Sequence, residues 1–427
     1  MQDWLAAEPL VIAAADGNYL IDAAGRRYLD GVSSLWCNVH GHRRPEIDAA
    51  IRAQLERVAH TTLLGLASPP SAELAARLAA IAPPGLTRVF YSDAGATAVE
   101  IALKLALQYW RLRGEERSRF VALIDGYHGD TLGAMSVGFS EPFHRFYTPL
   151  VPVTRVPAPY VVQRTRGVAP DAALAAALAE LEAALARDRG AIAAVVVEPL
   201  MQGAAGMWPQ PVEYLPAVRE LTRRYDTLLV CDEVATGFGR TGRLFACDHA
   251  AIAPDLLTLG KGLSGGYLPL AATLATEEIF RAFLGPYEDY TAFFHGHTFT
   301  GNALACAAAL ASLDLFTPAL LASLPEKAAA LARELDARVR PLAHVVEIRQ
   351  CGSMIGIELM RDPRRREPYA PRERVGHRTI LAARRRGVVL RPLGDTLVLM
   401  PPLSIRADEI ETLVMVAAES IAEVTGG

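Results

Sequence analysis

Thr227-Leu-Leu-Val-Cys-Asp232 is a short, uninterrupted apolar run that ends in a carboxylate, and the glycine-rich turn Glu233-Val-Ala-Thr-Gly-Phe-Gly-Arg-Thr-Gly242 follows it. A strand that is apolar at every position is buried on both faces, as in a parallel sheet covered by helices on each side. The pattern recurs outward from this stretch. Ile192-Ala-Ala-Val-Val-Val-Glu-Pro199 is continuously apolar up to Glu198, and Leu256 to Leu259 leads into Gly260-Lys-Gly262. Upstream, Arg88-Val-Phe-Tyr-Ser92 leads into Asp93-Ala-Gly-Ala96, and Phe120 to Ile124 into Asp125-Gly-Tyr-His-Gly-Asp-Thr131. Helical patterns separate these runs, from Thr97 to Arg111, from Asp171 to Arg187, and up to about Tyr225. The alternation predicts an α/β protein with a mostly parallel central sheet covered by helices. Ligands of such sheets bind outside the carboxyl ends of the strands. Gly95, Tyr127, Glu198, Asp232 and Lys261 all fall at those ends.

Away from this core the texture differs. Asn18 to Asp30 alternates around Gly25 as a β-hairpin does, and an irregular stretch to His42 follows. Pro45 opens a helix to about Val58, and Ser71 caps another to about Ile81. Val151 to about Asp171, rich in Pro and Val, reads as an irregular excursion. From about Ala328, helices and strands segregate as in a small α+β domain. The expected division is residues 1–60 as a segment contributing to the small domain, 61–325 as the large α/β domain, and 326–427 as the small α+β domain.

The 427 residues are 51% hydrophobic and 21% charged, with a formal net charge of −4. That balance offers no electrostatic footprint for nucleic acid or an anionic membrane. Five scattered cysteines form no Cys-x-x-Cys pair, which fits a reducing compartment and excludes a disulfide framework. No cysteine or carboxylate cluster completes a metal site around His40/His42 or His295/His297. No leader or bilayer-length apolar run is visible, so a cytoplasmic location is expected.

Lysine at the end of a buried strand is costly unless it is paired or used. Burial lowers its pKa, which frees a neutral amine to attack a carbonyl. Gly-Lys-Gly alone also describes a solvated lysine in a turn, and the order of a P-loop is absent. The combination is more informative. Lys261 supplies an amine, Asp232 an acid at the next strand end, and Gly95 with Ala96 a strand–turn–helix whose free N–H groups suit a phosphate. Together they suggest pyridoxal 5′-phosphate. Lys261 would bond the cofactor's aldehyde and Asp232 would pair with its ring nitrogen. Tyr127 would stack on one face of the ring and Val234 pack on the other.

Asp232-Glu-Val, Gly237-Phe-Gly-Arg-Thr-Gly242 and Gly260-Lys-Gly262 together resemble the class III (ω-amino acid) aminotransferases, fold type I pyridoxal phosphate enzymes. The resemblance runs from the first hairpin to the end of the chain. More narrowly, Val32-Ser-Ser-Leu-Trp36, Gly126-Tyr-His-Gly-Asp-Thr131, Gln202-Gly-Ala204, His295-Gly-His-Thr-Phe-Thr-Gly-Asn302, Leu390-Arg-Pro392 and Met400-Pro-Pro402 resemble the branch that aminates 8-amino-7-oxononanoate in biotin synthesis. The resemblance implies that Lys261 carries the proton of the 1,3-shift, with Asp232 and Tyr127 completing the catalytic group. It implies that His297 and Thr298 help hold the phosphate, with the Thr298 loop coming from the other subunit of a homodimer. Leu35, Trp36, Tyr127, Gly296 and Lys261 would line the substrate site, and Arg391 would bind the acceptor's carboxylate. S-adenosylmethionine or lysine would donate the amine.

Three departures from the family pattern stand out. Leu35 replaces the first of two tryptophans, which makes that wall less aromatic. Asp93-Ala-Gly-Ala96 lacks the usual serines, so backbone N–H groups alone would meet the phosphate. The chain also begins after the family's His-Pro-aromatic-Thr segment. Two other functions remain open to the residues: a general ω-amino acid aminotransferase, motivated by Glu198, which at its strand end could pair with an arginine or contact the ring environment, and a non-catalytic cofactor-binding protein.

Overall fold

The computed structural model describes residues 9–139 and 143–426. Its centre is a seven-stranded sheet in the order Leu86–Ser92, Ala271–Thr276, Leu256–Leu259, Leu228–Asp232, Ile192–Val197, Arg119–Leu123, Val153–Val156. Ala271–Thr276 runs antiparallel to both of its neighbours, and the other six strands run the same way.

Alternation along the strands divides the core. Val195, Val197, Leu229, Cys231 and Leu257 face one side, where they meet Leu181, Leu185, Leu215 and Val218 of helices Pro170–Arg187 and Tyr214–Arg224. Ala194, Val196, Leu228, Val230 and Leu256 face the other, against Val99, Ile101 and Leu103 of helix Gly95–Leu112. Both faces are therefore apolar, which is why these strands read as continuous hydrophobic runs.

A four-stranded antiparallel sheet (Val345–Cys351, Met354–Leu359, Thr396–Leu399, Arg391–Leu393) lies beside this core, with helices Pro318–Arg338, Val375–Arg385 and Ala407–Thr425. The N-terminal hairpin, Tyr19–Asp22 with Arg27–Asp30, pairs in parallel with Val388–Val389. Leu29 accordingly shares one apolar cluster with Leu331, Ile355, Leu397 and Leu413.

Two sequence expectations are corrected. Ser68, not Ser71, is the cap of helix Pro69–Ile81, and Ser71 closes the reciprocal hydrogen bonds from the third helical position. Pro69 and Pro70 belong to the first turn, where a missing N–H costs nothing. The stretch read as irregular between Val151 and Asp171 contains the sheet's edge strand, Val153–Val156, and a helix, Pro159–Arg166. Its prolines sit beside the strand and at the helix's first position rather than inside either element.

Candidate active site

A cavity of about 460 Å³ opens at the carboxyl edge of the central sheet, lined by Trp36, Gly95, Ala96, Tyr127, His128, Glu198, Asp232, Val234 and Lys261 among others. Lys261 starts the 3₁₀ turn Lys261–Ser264 directly after its strand, in a left-handed conformation at φ +43°. Burial lowers its amine pKa below the ordinary lysine value, and the charges of Asp232 and Glu198 offset only part of that. Its Nζ lies 5.0 Å from the centroid of the Trp36 ring.

Asp232 ends its strand with both carboxylate oxygens engaged. Oδ1 accepts hydrogen bonds from Thr258 Oγ1 (2.9 Å) and the Val234 amide (3.1 Å), and Oδ2 lies 2.7 Å from His128 Nδ1. Burial disfavours a charged His128, but the hydrogen bond to Asp232 and its charge outweigh this and raise the imidazole's pKa. Among the described residues, His128 Nε2 has no hydrogen-bond partner. Sequence reasoning did not single out this histidine. The signal was its place in the Gly-Tyr-His-Gly turn beyond a buried strand.

Opposite this pair, helix Gly95–Leu112 points its N-terminus into the cavity without a side-chain cap on its first-turn amides. A Cβ on Gly95 would stand 2.5 Å from Val234 Cγ1, and one on Gly129 would stand 2.4 Å from Ala96 Cβ. Glycine is required at both positions, so backbone rather than side chains faces the cavity there. Thr131 Oγ1, on the same wall, is buried without a hydrogen-bond partner among the described residues. Free amides, an unpaired hydroxyl and a narrow glycine-lined cradle fit an anionic phosphate. The lysine amine and the His128-supported carboxylate fit the two ends of a pyridine aldehyde.

Tyr127 stands over the cavity, and its hydroxyl donates to Asp130 Oδ2 at 2.8 Å. Burial, with that bond second, raises the phenol's pKa. Glu198 takes no arginine partner among the described residues. Its oxygens accept the backbone amides of Tyr127 and Gly203, each at 3.0 Å. Burial pushes its carboxyl up to about 7 against those bonds and the nearby His128.

The remaining predicted residues lie at or outside the rim. Leu35 is 48% exposed and is not among the residues lining the cavity of its own chain. Gly296 lines a different hollow with Leu63, Phe90 and Phe293. Thr298 is exposed, with its carbonyl accepting from His60 Nε2 at 2.8 Å, and His297 Nε2 lies 3.3 Å from Asp93 Oδ1. None of these three lines the cavity that holds Lys261 in its own chain. Arg391 is exposed and forms no ion pair among the described residues, and its charge is felt at the Tyr127 phenol.

A parallel-sheet protein with a buried lysine, a strand-end aspartate and a phosphate cradle at one edge is a pyridoxal-phosphate-dependent transferase, and pyridoxal 5′-phosphate is its cofactor. The Aminotransferase class-III family model matches residues 3–421. The chain belongs to that family and is an aminotransferase. It is 56% identical, over all of its length and 79% of the relative's, to an adenosylmethionine-8-amino-7-oxononanoate aminotransferase of Nitratidesulfovibrio vulgaris. The crystal structure of the enzyme of that name from Methanocaldococcus jannaschii superposes with a TM-score of 0.93 at 42% identity, covering 99% of this chain and 95% of the other. A PLP-bound amine transaminase from an uncultivated Pseudomonas species gives 0.94 at 38% identity, covering 98% and 96%.

Proposed function

We propose that this aminotransferase converts 8-amino-7-oxononanoate to 7,8-diaminononanoate, the diamine step of biotin synthesis, with S-adenosylmethionine as amino donor. Arg391 carries the reading. It is exposed and makes no ion pair among the described residues, and its charge reaches Tyr127 at the cavity's mouth, so it is available to a carboxylate at the far end of a long acceptor. Bound, the cofactor supplies the electron sink that lets a proton leave the carbon bearing the amine. The chain's own residues do the rest. Lys261, held toward its neutral form by burial, takes and returns the proton. Asp232, fixed by His128 and Thr258, keeps a negative charge at the ring end of the site. Tyr127 and Trp36 wall the substrate away from water.

Lysine is the alternative donor. A sulfonium is drawn to aromatic faces, and Trp36 supplies one in the cavity while Leu35 does not. We also infer a homodimer in which Gly296, His297 and Thr298 complete the partner's site, because they do not line the cavity that holds Lys261 in their own chain. The proposed division at 1–60, 61–325 and 326–427 is supported at the hairpin, where Leu29 shares the small domain's apolar cluster, while helix Pro45–Leu55 packs on helix Ala303–Asp314. Five free cysteines support a cytoplasmic location.

Visible absorbance of the cofactor-loaded protein tests the reaction and the donor together. Loss of the resting band with S-adenosylmethionine alone, restored by 8-amino-7-oxononanoate, is expected. Response to lysine alone would change the donor. Response only to other ω-amines would replace the acceptor.

A further inference from the structure

Ser33, Ser34, Leu35 and Trp36 have φ values of +49°, +52°, +90° and +68°. Four consecutive non-glycine residues therefore form a left-handed helical turn, a conformation in which each Cβ crowds the following carbonyl. Such a turn persists only where its surroundings over-determine it. It is also the turn that puts Trp36 into the cavity, 5% exposed and beside Lys261, while Leu35 faces outward.

Beyond the backbone bonds from the Leu35 and Trp36 amides to the Val32 carbonyl, one side chain holds its centre. Asp30, fully buried, accepts the Ser34 amide on Oδ1 at 3.0 Å, the Val32 amide on Oδ1 at 3.4 Å, and the Ser34 hydroxyl on Oδ2 at 2.7 Å. His42 Nε2 lies 3.0 Å from Oδ2, and its Nδ1 lies 2.9 Å from Asn38 Nδ2. Burial would raise the carboxyl's pKa, but the bonds from His42 and Ser34 prevail and hold it below the ordinary range. A buried anion with four donors is a rigid fixture. Asp30's own backbone pairs with Val389, two residues before Arg391. The same residue thus ties the Trp36 wall to strand Val388–Val389, which leads directly into the strand Arg391–Leu393. Ser33 Oγ, donating to the Met400 carbonyl at 2.7 Å, and Arg240, donating to the Trp36 carbonyl at 3.3 Å, anchor the turn's two ends but not its strained centre.

We infer that Asp30, braced by His42, is a positioning residue for the amino-transfer reaction: its carboxylate maintains the left-handed turn that sets Trp36 against the substrate and fixes its distance from Arg391. It touches neither substrate nor cofactor. The inference deepens the proposed function and relies on that reading for the identity of the substrate.

The test is a rescue in the holoenzyme. Asp30→Ala is expected to raise KM for 8-amino-7-oxononanoate at least tenfold, with a smaller fall in kcat. Adding Ser34→Gly, which takes left-handed φ without steric cost, is expected to recover most of that loss. Ser34→Gly alone is expected to change KM less than threefold. His42→Asn is measured alongside, because it loosens the brace without removing the buried anion, and it is expected to raise KM in the same direction by a smaller factor. Wild-type KM per folded molecule in Asp30→Ala overturns the inference. So does a Ser34→Gly rescue of Tm without rescue of KM. If Asp30→Ala does not fold, an unchanged KM in His42→Asn overturns it instead. If the wild type fails to turn over the amino-ketone, the proposed function fails, and the same series is run with whichever amine it accepts.

Discussion

His128 Nδ1 lies 2.7 Å from Asp232 Oδ2, with both side chains buried and 104 positions apart in the chain. The acid at the end of one strand is held by the turn beyond another. The carboxylate is thereby kept in place before any cofactor arrives, so the negative end of the site does not depend on the ligand for its geometry.

Replacing His128 by leucine removes one of the three donors to Asp232 and leaves a buried carboxylate under-satisfied. Breaking such a pair costs about 3 kcal/mol. His128→Leu is expected to lower the Tm of the cofactor-free protein and to weaken pyridoxal phosphate binding, while His128→Asn, which keeps a donor, loses less. Thermal melts with and without cofactor check both.

Glu198 makes the cofactor-free fold sensitive to pH. Its native pKa of about 7 lies above the unfolded value, so the native state binds more protons than the unfolded chain between about pH 4 and pH 7. The contribution is fully present below the unfolded pKa and is lost as pH rises through 7, a loss on the order of 3 kcal/mol. Glu233, buried and likewise pushed up to about 7, acts in the same direction. Glu198→Gln is expected to flatten the fall in stability over this window by roughly half. Urea melts from pH 5 to pH 8 read the slope, and an unchanged slope contradicts the assignment.

Arg391→Ala is expected to raise KM for the carboxylate-bearing acceptor by about 10- to 100-fold, the worth of a charge-assisted hydrogen bond. The half-reaction with the donor alone is expected to change much less. Arg391→Lys is expected to recover only part of the loss, because an ammonium lacks the planar fork. Steady-state kinetics for acceptor and donor separately distinguish this from a general loss of folding.

Shared sites predict complementation between two inactive chains. Lys261→Ala is expected to lose at least about 10³-fold in turnover. Thr298→Glu is expected to repel the phosphate of the partner's site. Unfolding the two variants together and refolding them allows mixed dimers in which one site has both Lys261 and Thr298. Recovery of roughly a quarter of wild-type activity is expected. No recovery after verified subunit exchange means that each chain builds its site alone.

The sequence by itself determined most of the central sheet and the residues at its carboxyl edge, though not its edge strand Val153–Val156. Strands buried on both faces must be apolar throughout, so the runs ending at Glu198, Asp232 and Leu259 were legible, and with them Lys261 in its glycines. Local periodicity reports which elements are buried, but not which distant side chain meets which. Only the tertiary structure brought His128 to Asp232 and Tyr127's amide to Glu198, for which sequence left an arginine partner or the ring environment open. Likewise, nothing in Val32-Ser-Ser-Leu-Trp36 signals a left-handed turn, since none of the four residues prefers it. The turn exists because Asp30 and His42 hold it from outside the segment. That fixed contact decides that Trp36 faces the lysine and Leu35 faces away.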